Sequence, residues 1–527
     1  MEDLIKCLSE LISKCELGRM LDAPQKVSGG LLHKMYKVRT EKGTYAVKIL
    51  NPEIMKRQGV FENYRRAEEL EDRLDKAGIR IVSSLVFDGK KMIECEGKYF
   101  YIFNWLEGSI TDWNSISRDQ CFKAGEILGK IHGLDAHNAE KPEPEIRDID
   151  FAEYKKIAEE KNSEIAVCLN ENLTLLEEAQ RKLNVAEKML PAMRAVDDSD
   201  MDPKNIMWNE GIPYVIDLEC LDYGNPISSC LNLSLQWAGT VNGKYSEENL
   251  KAFYEGYLKS YDNGFRSYDE LFGTAYIWVE WLEYNIRRAL GMEGSNGETI
   301  ALGTDEVKNT INRIRYLNSI EKDVCRVLGD LPSPDPEKYD THDDSLCYID
   351  LTFKGDITDK PVAELPNGYR FVNYSDGDKK AWIDIELSAG EILDKKHGEE
   401  CWQRYYGSCE DELTERMIFI ENRNGEKVAT ATAFYDIHGN SLPGEGRLHW
   451  VGIKKEAQGK GLSKPLITYT LGVMRNLGYN STKIHTQTNT WLACKIYHDL
   501  GFRPDEDSIE RDRFGWKMVR LLTKEGM

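Results

Sequence analysis

Asp198-Ser199-Asp200-Met201-Asp202-Pro203-Lys204-Asn205-Ile206-Met207-Trp208, followed past a short turn by Tyr214-Val215-Ile216-Asp217-Leu218-Glu219, is the stretch on which the fold turns. An Asp with an Asn five positions on suits a phosphoryl-transfer loop. The carboxylate of Asp200 can take the proton of an attacking hydroxyl, and the Asn205 amide can hold a metal. Asp217 ends an apolar strand and can hold the same Mg²⁺. The turn at 209–213 folds the two flanks into a hairpin, so Asn205 and Asp217 can converge. The alternative is a plain Asp-Pro turn.

Upstream elements extend this reading. Ser28-Gly29-Gly30-Leu31-Leu32-His33 places two glycines at a turn before a strand over 34–39. Backbone N–H groups can approach phosphate oxygens there. Ala46-Val47-Lys48-Ile49-Leu50 sets a lysine among apolar strand residues. A buried ammonium needs an anion, which nucleotide phosphates and a helix carboxylate would supply; alternatively Lys48 snorkels at a strand edge. The charged helix over 62–77 offers Glu68 or Glu69 for that pairing. Further strands read over 81–87, 91–95 and 99–103, and long helices over 271–290 and 304–328.

Together Gly29-Gly30, Ala46-Val47-Lys48, Leu128-Gly129-Lys130-Ile131-His132, Asp200 with Asn205, and Ile216-Asp217-Leu218-Glu219 resemble the aminoglycoside phosphotransferase / choline kinase-like family over residues 1–331. The resemblance implies a two-lobed protein-kinase-like fold, with a small lobe over 1–105 and a large lobe over 106–331. It implies ATP or GTP with Mg²⁺, held by Gly29, Gly30, Lys48, Glu68 and a hinge with Phe103 and Trp105. Asn205 and Asp217 would be the metal residues and Asp200 the base. The family usually has His two residues before that Asp; here the position is Asp198, which reads as a surface acid, or as a carboxylate that raises a neighbour's pKa.

Leu331-Pro-Ser-Pro-Asp-Pro-Glu-Lys-Tyr-Asp-Thr-His-Asp-Asp cannot pack by composition and marks a linker over 332–360. A different pattern of alternating α and β follows. Leu448-His449-Trp450-Val451-Gly452-Ile453 runs into Lys454-Lys455-Glu456-Ala457-Gln458-Gly459-Lys460-Gly461-Leu462-Ser463, a glycine turn from strand to helix N-terminus. Such a turn presents N–H groups to a pyrophosphate. With Thr490-Trp491-Leu492-Ala493-Cys494-Lys495-Ile496-Tyr497-His498-Asp499-Leu500-Gly501-Phe502 it resembles the GNAT acetyltransferases over 361–527. That resemblance implies an α/β domain with a mixed central sheet, so the whole chain is α+β. Acetyl-CoA would lie on Val451, Ile453, Gln458, Gly459, Lys460, Gly461, Leu462, Ser463 and Asn489. Tyr497 would be the acid that protonates the departing thiolate, or else a core aromatic. His449 is a candidate base, two residues from Val451 on one face, or else a satisfied core histidine.

Composition bounds these readings. The 527 residues have a net charge of −21, which disfavours a nucleic-acid footprint. No apolar run reaches membrane-span length, and the N-terminus lacks a signal pattern. Twelve cysteines without a Cys-x-x-Cys pair read as buried free thiols of a cytoplasmic protein. The expectation is a bifunctional transferase acting on a small molecule with hydroxyls and amines, such as an aminoglycoside, with antibiotic resistance as the corresponding role. The alternative is a nucleotide- or ligand-sensing kinase-like module that regulates one active acetyltransferase.

Overall fold

The computed structural model describes residues 2–27, 33–138, 146–293, 296–437, 439 and 441–524. Gly29 and Gly30 lie outside the described residues. The chain divides into two compact units, Met1–Asp262 with Ser267–Leu331, and Asn263–Arg266 with Pro332–Met527.

The first unit opens with the helix Glu2–Lys14, whose apolar residues recur at helical spacing. Five strands follow: β1 (Gln25–Val27), β2 (Lys34–Thr40), β3 (Gly43–Ile49), β4 (Ile93–Cys95) and β5 (Lys98–Asn104), in the sheet order β1-β2-β3-β5-β4. Alternation divides the sheet's faces. Val38, Val47, Phe100 and Ile102 pack with Leu8, Leu11 and Ile12 of the first helix. Lys48 lies opposite Tyr101, and Ala46 opposite Phe103, on the other face. Tyr101 there meets Tyr64 of the helix Val60–Lys76, ring centroids 6.0 Å apart.

The strand expected over 81–87 does not form. The segment makes isolated bridges, Ile81 to Val215 and Ser84 to Phe103. It crosses between two different sheets and so cannot pair with one partner along its length.

The rest of the unit is mainly helical, with short strands β6 (Ser109–Ile110), β7 (His137–Asn138), β8 (Met193–Asp198), β9 (Ile206–Asn209), β10 (Ile212–Val215) and β11 (Leu221–Gly224) in two sheets, β10-β9-β6 and β11-β8-β7. The helices Arg118–His132 and Glu247–Ser260 cross backbone to backbone. A Cβ at Gly125 would stand 2.0 Å from the Phe253 carbonyl oxygen, and one at Gly256 2.0 Å from that of Phe122. Both positions therefore require glycine. This crossing seats buried His132, whose Nε2 is 3.1 Å from Asp197 and whose Nδ1 is 2.8 Å from the Tyr257 hydroxyl. The single helix expected over 271–290 is a 3₁₀ segment, Phe272–Ile277, followed by the helix Trp278–Ala289. Gly273 lies against the Lys182 carbonyl, and the tighter winding accommodates that contact.

The second unit is built on β12 (Asp350–Asp356), β13 (Tyr369–Asn373), β14 (Met417–Asn422), β15 (Lys427–Phe434), β16 (Glu445–Ile453), β17 (Ser481–Gln487) and β18 (Arg503–Pro504), in the order β13-β14-β15-β16-β17-β12-β18. All neighbours are antiparallel except β16 and β17, so the sheet is mixed. The linker expected over 332–360 is too long. Its residues 350–356 are β12, an interior strand that pairs with β17 along its whole length. Leu346, Cys347, Leu351 and Phe353 are buried. Prolines concentrate before residue 337, and the alternation that makes β12 begins after them.

All twelve cysteines are free and most are buried, with Cys220 exposed. Among the described residues no helix is long and apolar enough to cross a membrane.

Limited proteolysis should therefore cut the exposed Pro-rich stretch before residue 340 and spare 346–356, where the backbone is in a sheet. Mass spectrometry of the first fragments checks this; an early cut within 346–356 would contradict it.

Candidate functional site

In the first unit the ends of β3, β8 and β10 meet. Lys48 on β3 is 5% exposed, and its ammonium contacts two carboxylates, Asp217 and, at 2.5 Å, Glu219. Burial works against the charged lysine, but Asp217 and Glu219 outweigh it and raise its pKa. Asp217 adopts φ 64° and ψ 52°, the left-handed turn that an Asp tolerates. The turn starts a short 3₁₀ segment, Leu218–Cys220, and brings both carboxylates to one ammonium. Glu219 also pairs with His33 at 2.9 Å. Burial would raise its pKa, but His33 and Lys48 hold it down at about 2.

The partner expected for Lys48 is different. Glu68 accepts a hydrogen bond from the Tyr101 hydroxyl at 2.8 Å, and Glu69 pairs on an exposed face with Arg65. Glu68 still lines the same pocket as Lys48, Tyr101, Phe103 and Asp217. Trp105 continues the edge, its N–H donating to the Thr44 carbonyl at 3.0 Å. Its ring lies under Lys37, with the ammonium 4.1 Å from the ring centroid.

The loop after β8 holds the remaining groups. Asn205 turns its amide nitrogen onto Asp200, donating to its carbonyl at 2.7 Å and its carboxylate at 3.0 Å. The Asn205 carbonyl accepts from Ile216 N–H at 2.9 Å, which ties the loop to the residue before Asp217. Lys204 spans Asp202 at 2.8 Å and Asp200 at 3.4 Å. Asp200 is raised to about 6, chiefly by burial, with Lys204 opposing and Asp202 and Asp217 adding. Asp198 is not the surface acid expected. It is 1% exposed, and its Oδ2 has no hydrogen-bond partner among the described residues. Burial, then Asp200 and Asp197, push its pKa well up. It is buried because it is the last residue of β8, paired with Leu221 of β11.

The residues present suit a magnesium ion. With its nitrogen committed to Asp200, Asn205 has its amide oxygen free of partners among the described residues. Asp217 adds a carboxylate, and a hard-oxygen pair is what Mg²⁺ takes.

In the second unit β16 and β17 pair only at Glu445–Ser481, Gly446–Thr482 and Arg447–Lys483. Beyond Arg447 they diverge, and β16 is left unpaired on that side. There β16 also bulges against β15, between Thr430–Gly452 and Thr432–His449, with Trp450 at φ 43°. The bulge breaks the alternation expected between His449 and Val451. His449 lies among rings, stacked with Phe434 at 5.5 Å, its Nδ1 3.1 Å from the Tyr406 hydroxyl. Burial, with His485 and Arg447 adding, lowers its pKa to about 3, so it is a poor proton acceptor at neutral pH.

Val451 and Ile453 are partly buried against the sheet core. Gln458 donates to the Ile453 carbonyl at 3.1 Å and accepts from Thr341 at 3.0 Å. Gly459 and Gly461 both adopt left-handed φ, 72° and 74°. Lys460 is exposed between them. Leu462 precedes the helix Ser463–Asn476, which starts without a side-chain cap, so the N–H groups of Ser463 and Lys464 lack a side-chain acceptor at the helix start. Asn489, expected to meet acetyl-CoA, is buried and donates to His342 at 3.2 Å and Asp344 at 3.1 Å. Tyr497 is 5% exposed against Phe353, with ring centroids 5.8 Å apart. Its hydroxyl bonds to no described residue, and burial raises its pKa.

Sequence reading missed Asp217 and Glu219 as the partners of Lys48, and His33 as the second partner of Glu219. The signal was available in Glu219, an acid two residues past Asp217 at the end of an apolar strand.

The model of the phosphotransferase enzyme family matches residues 24–271, and that of the GNAT acetyltransferase family matches residues 381–502. The chain joins a domain of the phosphotransferase enzyme family to a domain of the GNAT family. Its fold is a kinase-like domain of two lobes followed by a GNAT domain. No curated protein matches it in sequence. Among solved structures it is similar to spectinomycin phosphotransferase in complex with ADP and spectinomycin, at 13% identity, over 59% of this chain and 97% of that one, with a TM-score of 0.43. It is similar also to amicoumacin kinase in complex with AMP-PNP and Ca²⁺, at 12% identity, over 59% of this chain and 96% of that one, with a TM-score of 0.39. A GCN5-related N-acetyltransferase from Sphaerobacter thermophilus is similar at 17% identity, over 30% of this chain and 49% of that one, with a TM-score of 0.26.

Replacing Glu219 with Gln should destabilise the first unit by about 1.5–3 kcal/mol, since a charged bond to Lys48 and another to His33 are lost. Its native pKa lies below the unfolded value of about 4.3, so its contribution is complete above that pH and fades as pH falls towards 2. Denaturant unfolding from pH 7 to pH 3 should show a shallower acid loss in Glu219→Gln than in wild type.

Proposed function

We propose that the chain is a bifunctional transferase. The first unit would move the γ-phosphoryl of ATP or GTP to a hydroxyl of a small molecule, and the second an acetyl group from acetyl-CoA to an amine. One observation carries the first activity: Lys48 and Asp217 meet at one pocket, and the bond from Ile216 to the Asn205 carbonyl ties the loop that holds Asp200 and Asn205 to the residue before Asp217.

Lys48 would bind the nucleotide phosphates, exchanging part of its contact with Asp217 and Glu219 for them. Phe103 and Trp105 would flank the base along β5. Asp200, whose carboxylate Asn205 and Lys204 already orient, would take the proton of the acceptor hydroxyl. Asn205 and Asp217 would hold Mg²⁺, which neutralises phosphate charge when bound.

For the second activity the support is the divergence of β16 from β17 beside a loop with two left-handed glycines. The opened edge of β16 offers Val451 and Ile453 backbone groups to an extended thioester arm. The loop 458–463 and the uncapped helix start offer N–H groups to the pyrophosphate. Tyr497 would give its proton to the leaving thiolate. An acceptor that carries both hydroxyls and amines, such as an aminoglycoside, suits both activities.

Asp200→Asn should keep Mg-nucleotide affinity and lose phosphoryl transfer by at least ~10²-fold. Asp217→Asn should weaken nucleotide binding itself. Calorimetric nucleotide affinity and product mass over a panel of amino sugars decide this. Nucleotide binding in wild type without transfer to any acceptor would favour the regulatory reading.

Gly461→Val should weaken acetyl-CoA binding while leaving ATP binding unchanged, because a β-branched residue resists φ of 74°. Unchanged acetyl-CoA affinity in the folded variant would move the site elsewhere.

A further inference from the structure

The first unit holds a cation that no carboxylate of the chain pairs with. Arg313 lies on the helix Gly297–Gly329. Among the described residues no hydrogen bond and no ion pair reaches its side chain. The other arginines that lack both are exposed, whereas Arg313 is half-buried. Its guanidinium sits on the face of Trp278, with the central carbon 3.8 Å from the ring centroid. That stack fixes the plane of the fork. Nε is sealed from solvent without a partner. The two terminal nitrogens also lack a protein partner but are not sealed, so the end of the fork is open to a ligand.

Lys48 meets burial with two carboxylates in contact, and its charge is held. Arg313 has only Glu306 and Asp202 in its surroundings, and neither forms an ion pair with it. Both are already engaged. Glu306 accepts from the Trp281 N–H at 3.2 Å, and Asp202 from the Lys204 ammonium at 2.8 Å. Burial therefore prevails and lowers the Arg313 pKa to about 10. A cation in this state costs stability until an anion joins it.

The place is beside the loop of the proposed base. The segment 237–245 joins that loop to the helix of Arg313. At one end the Trp237 N–H donates to the Met201 carbonyl at 3.0 Å. At the other the Tyr245 N–H donates to the Tyr316 hydroxyl at 3.0 Å. Tyr316 lies three residues past Arg313, on the same side of the helix. Asp202, whose field reaches Arg313, is two residues from Asp200.

Resting on the phosphotransferase reading, we infer that Arg313 binds a carboxylate of the acceptor whose hydroxyl Asp200 deprotonates. A planar carboxylate matches a fork held flat on an indole and accepts two parallel bonds from it. It also supplies the charge that Glu306 and Asp202 do not. Among acceptors with hydroxyls and amines, this selects those that also carry a carboxylate. A purely cationic amino sugar would meet Arg313 as a like charge.

The test uses the full chain with Mg-ATP and four acceptors. Glucosamine and kanamycin A carry no carboxylate; muramic acid and glucosaminic acid do. Product mass, kcat, KM, nucleotide affinity and thermal midpoint are read. Wild type should phosphorylate the two acids in preference. Arg313→Leu should raise KM for the acids by ~10²-fold, the loss of a pair of charged hydrogen bonds, with kcat and Mg-ATP affinity little changed. It should melt no lower than wild type, because it removes an uncompensated cation. A merely structural stack on Trp278 would give a lower midpoint and an unchanged KM. Arg313→Lys should recover only part of the loss, since an ammonium cannot make the two-pronged bond. Preferential transfer to glucosamine or kanamycin A, or an unchanged KM for the acids in Arg313→Leu, would overturn the carboxylate site and leave the phosphotransferase reading standing. Mg-ATP binding with transfer to none of the four would also overturn it. Failure of wild type to bind Mg-ATP would overturn the phosphotransferase reading and this inference with it.

Discussion

An ammonium group inside a protein must be neutralised, and in the first unit that requirement falls on Lys48. Two carboxylates from the far side of the sequence, Asp217 and Glu219, meet it. The consequences spread outward. The left-handed turn at Asp217, the pairing of His33 with Glu219 and the return of β10 beside β9 all serve to bring charge to one atom. The loop after β8 is tied to the same place by the bond from Ile216 to Asn205. Since separating such a buried pair is far costlier than separating an exposed one, the pocket keeps its charges arrayed without a ligand.

The second unit solves a different problem with backbone alone. A sheet that pairs throughout has no room for an extended ligand. Parting two neighbouring strands after three pairs, and bulging one of them, frees N–H and C=O groups without a loop insertion. The glycines at 459 and 461 then let the chain turn where side chains would restrict it. The histidine on that strand is held among rings, where burial lowers its pKa.

Legibility followed the range over which each feature is determined. The Asp200–Asn205 spacing, the Gly459–Gly461 turn and most strands and helices are local, and periodicity or a turn residue reveals them. Features set by distant partners were not readable. Glu68 sits at a suitable helical position for Lys48, yet Tyr101 claims it, a contact 33 residues away. Asp198 follows an apolar run by one residue and reads as its exposed end, but pairing with β11 buries it. The segment at 81–87 has strand composition and lacks a single partner. The boundary at 360 was misplaced because acidic and Pro-rich residues before 345 drew attention from the short alternation of β12.

The place of β12 has a consequence for how the protein is made. Entering the sheet between β17 and β18, it pairs Asp350 with Gln487 and Phe353 with Pro504. During synthesis this strand emerges before β13, β14, β15 and β16 and waits for all four before either neighbour exists. The second unit therefore takes β12 into its sheet only after β17 has been made, through contacts of long sequence separation, which are slow to form. Until then an apolar strand carrying Leu351 and Phe353 has two unpaired edges, the condition under which nascent chains pair wrongly with one another.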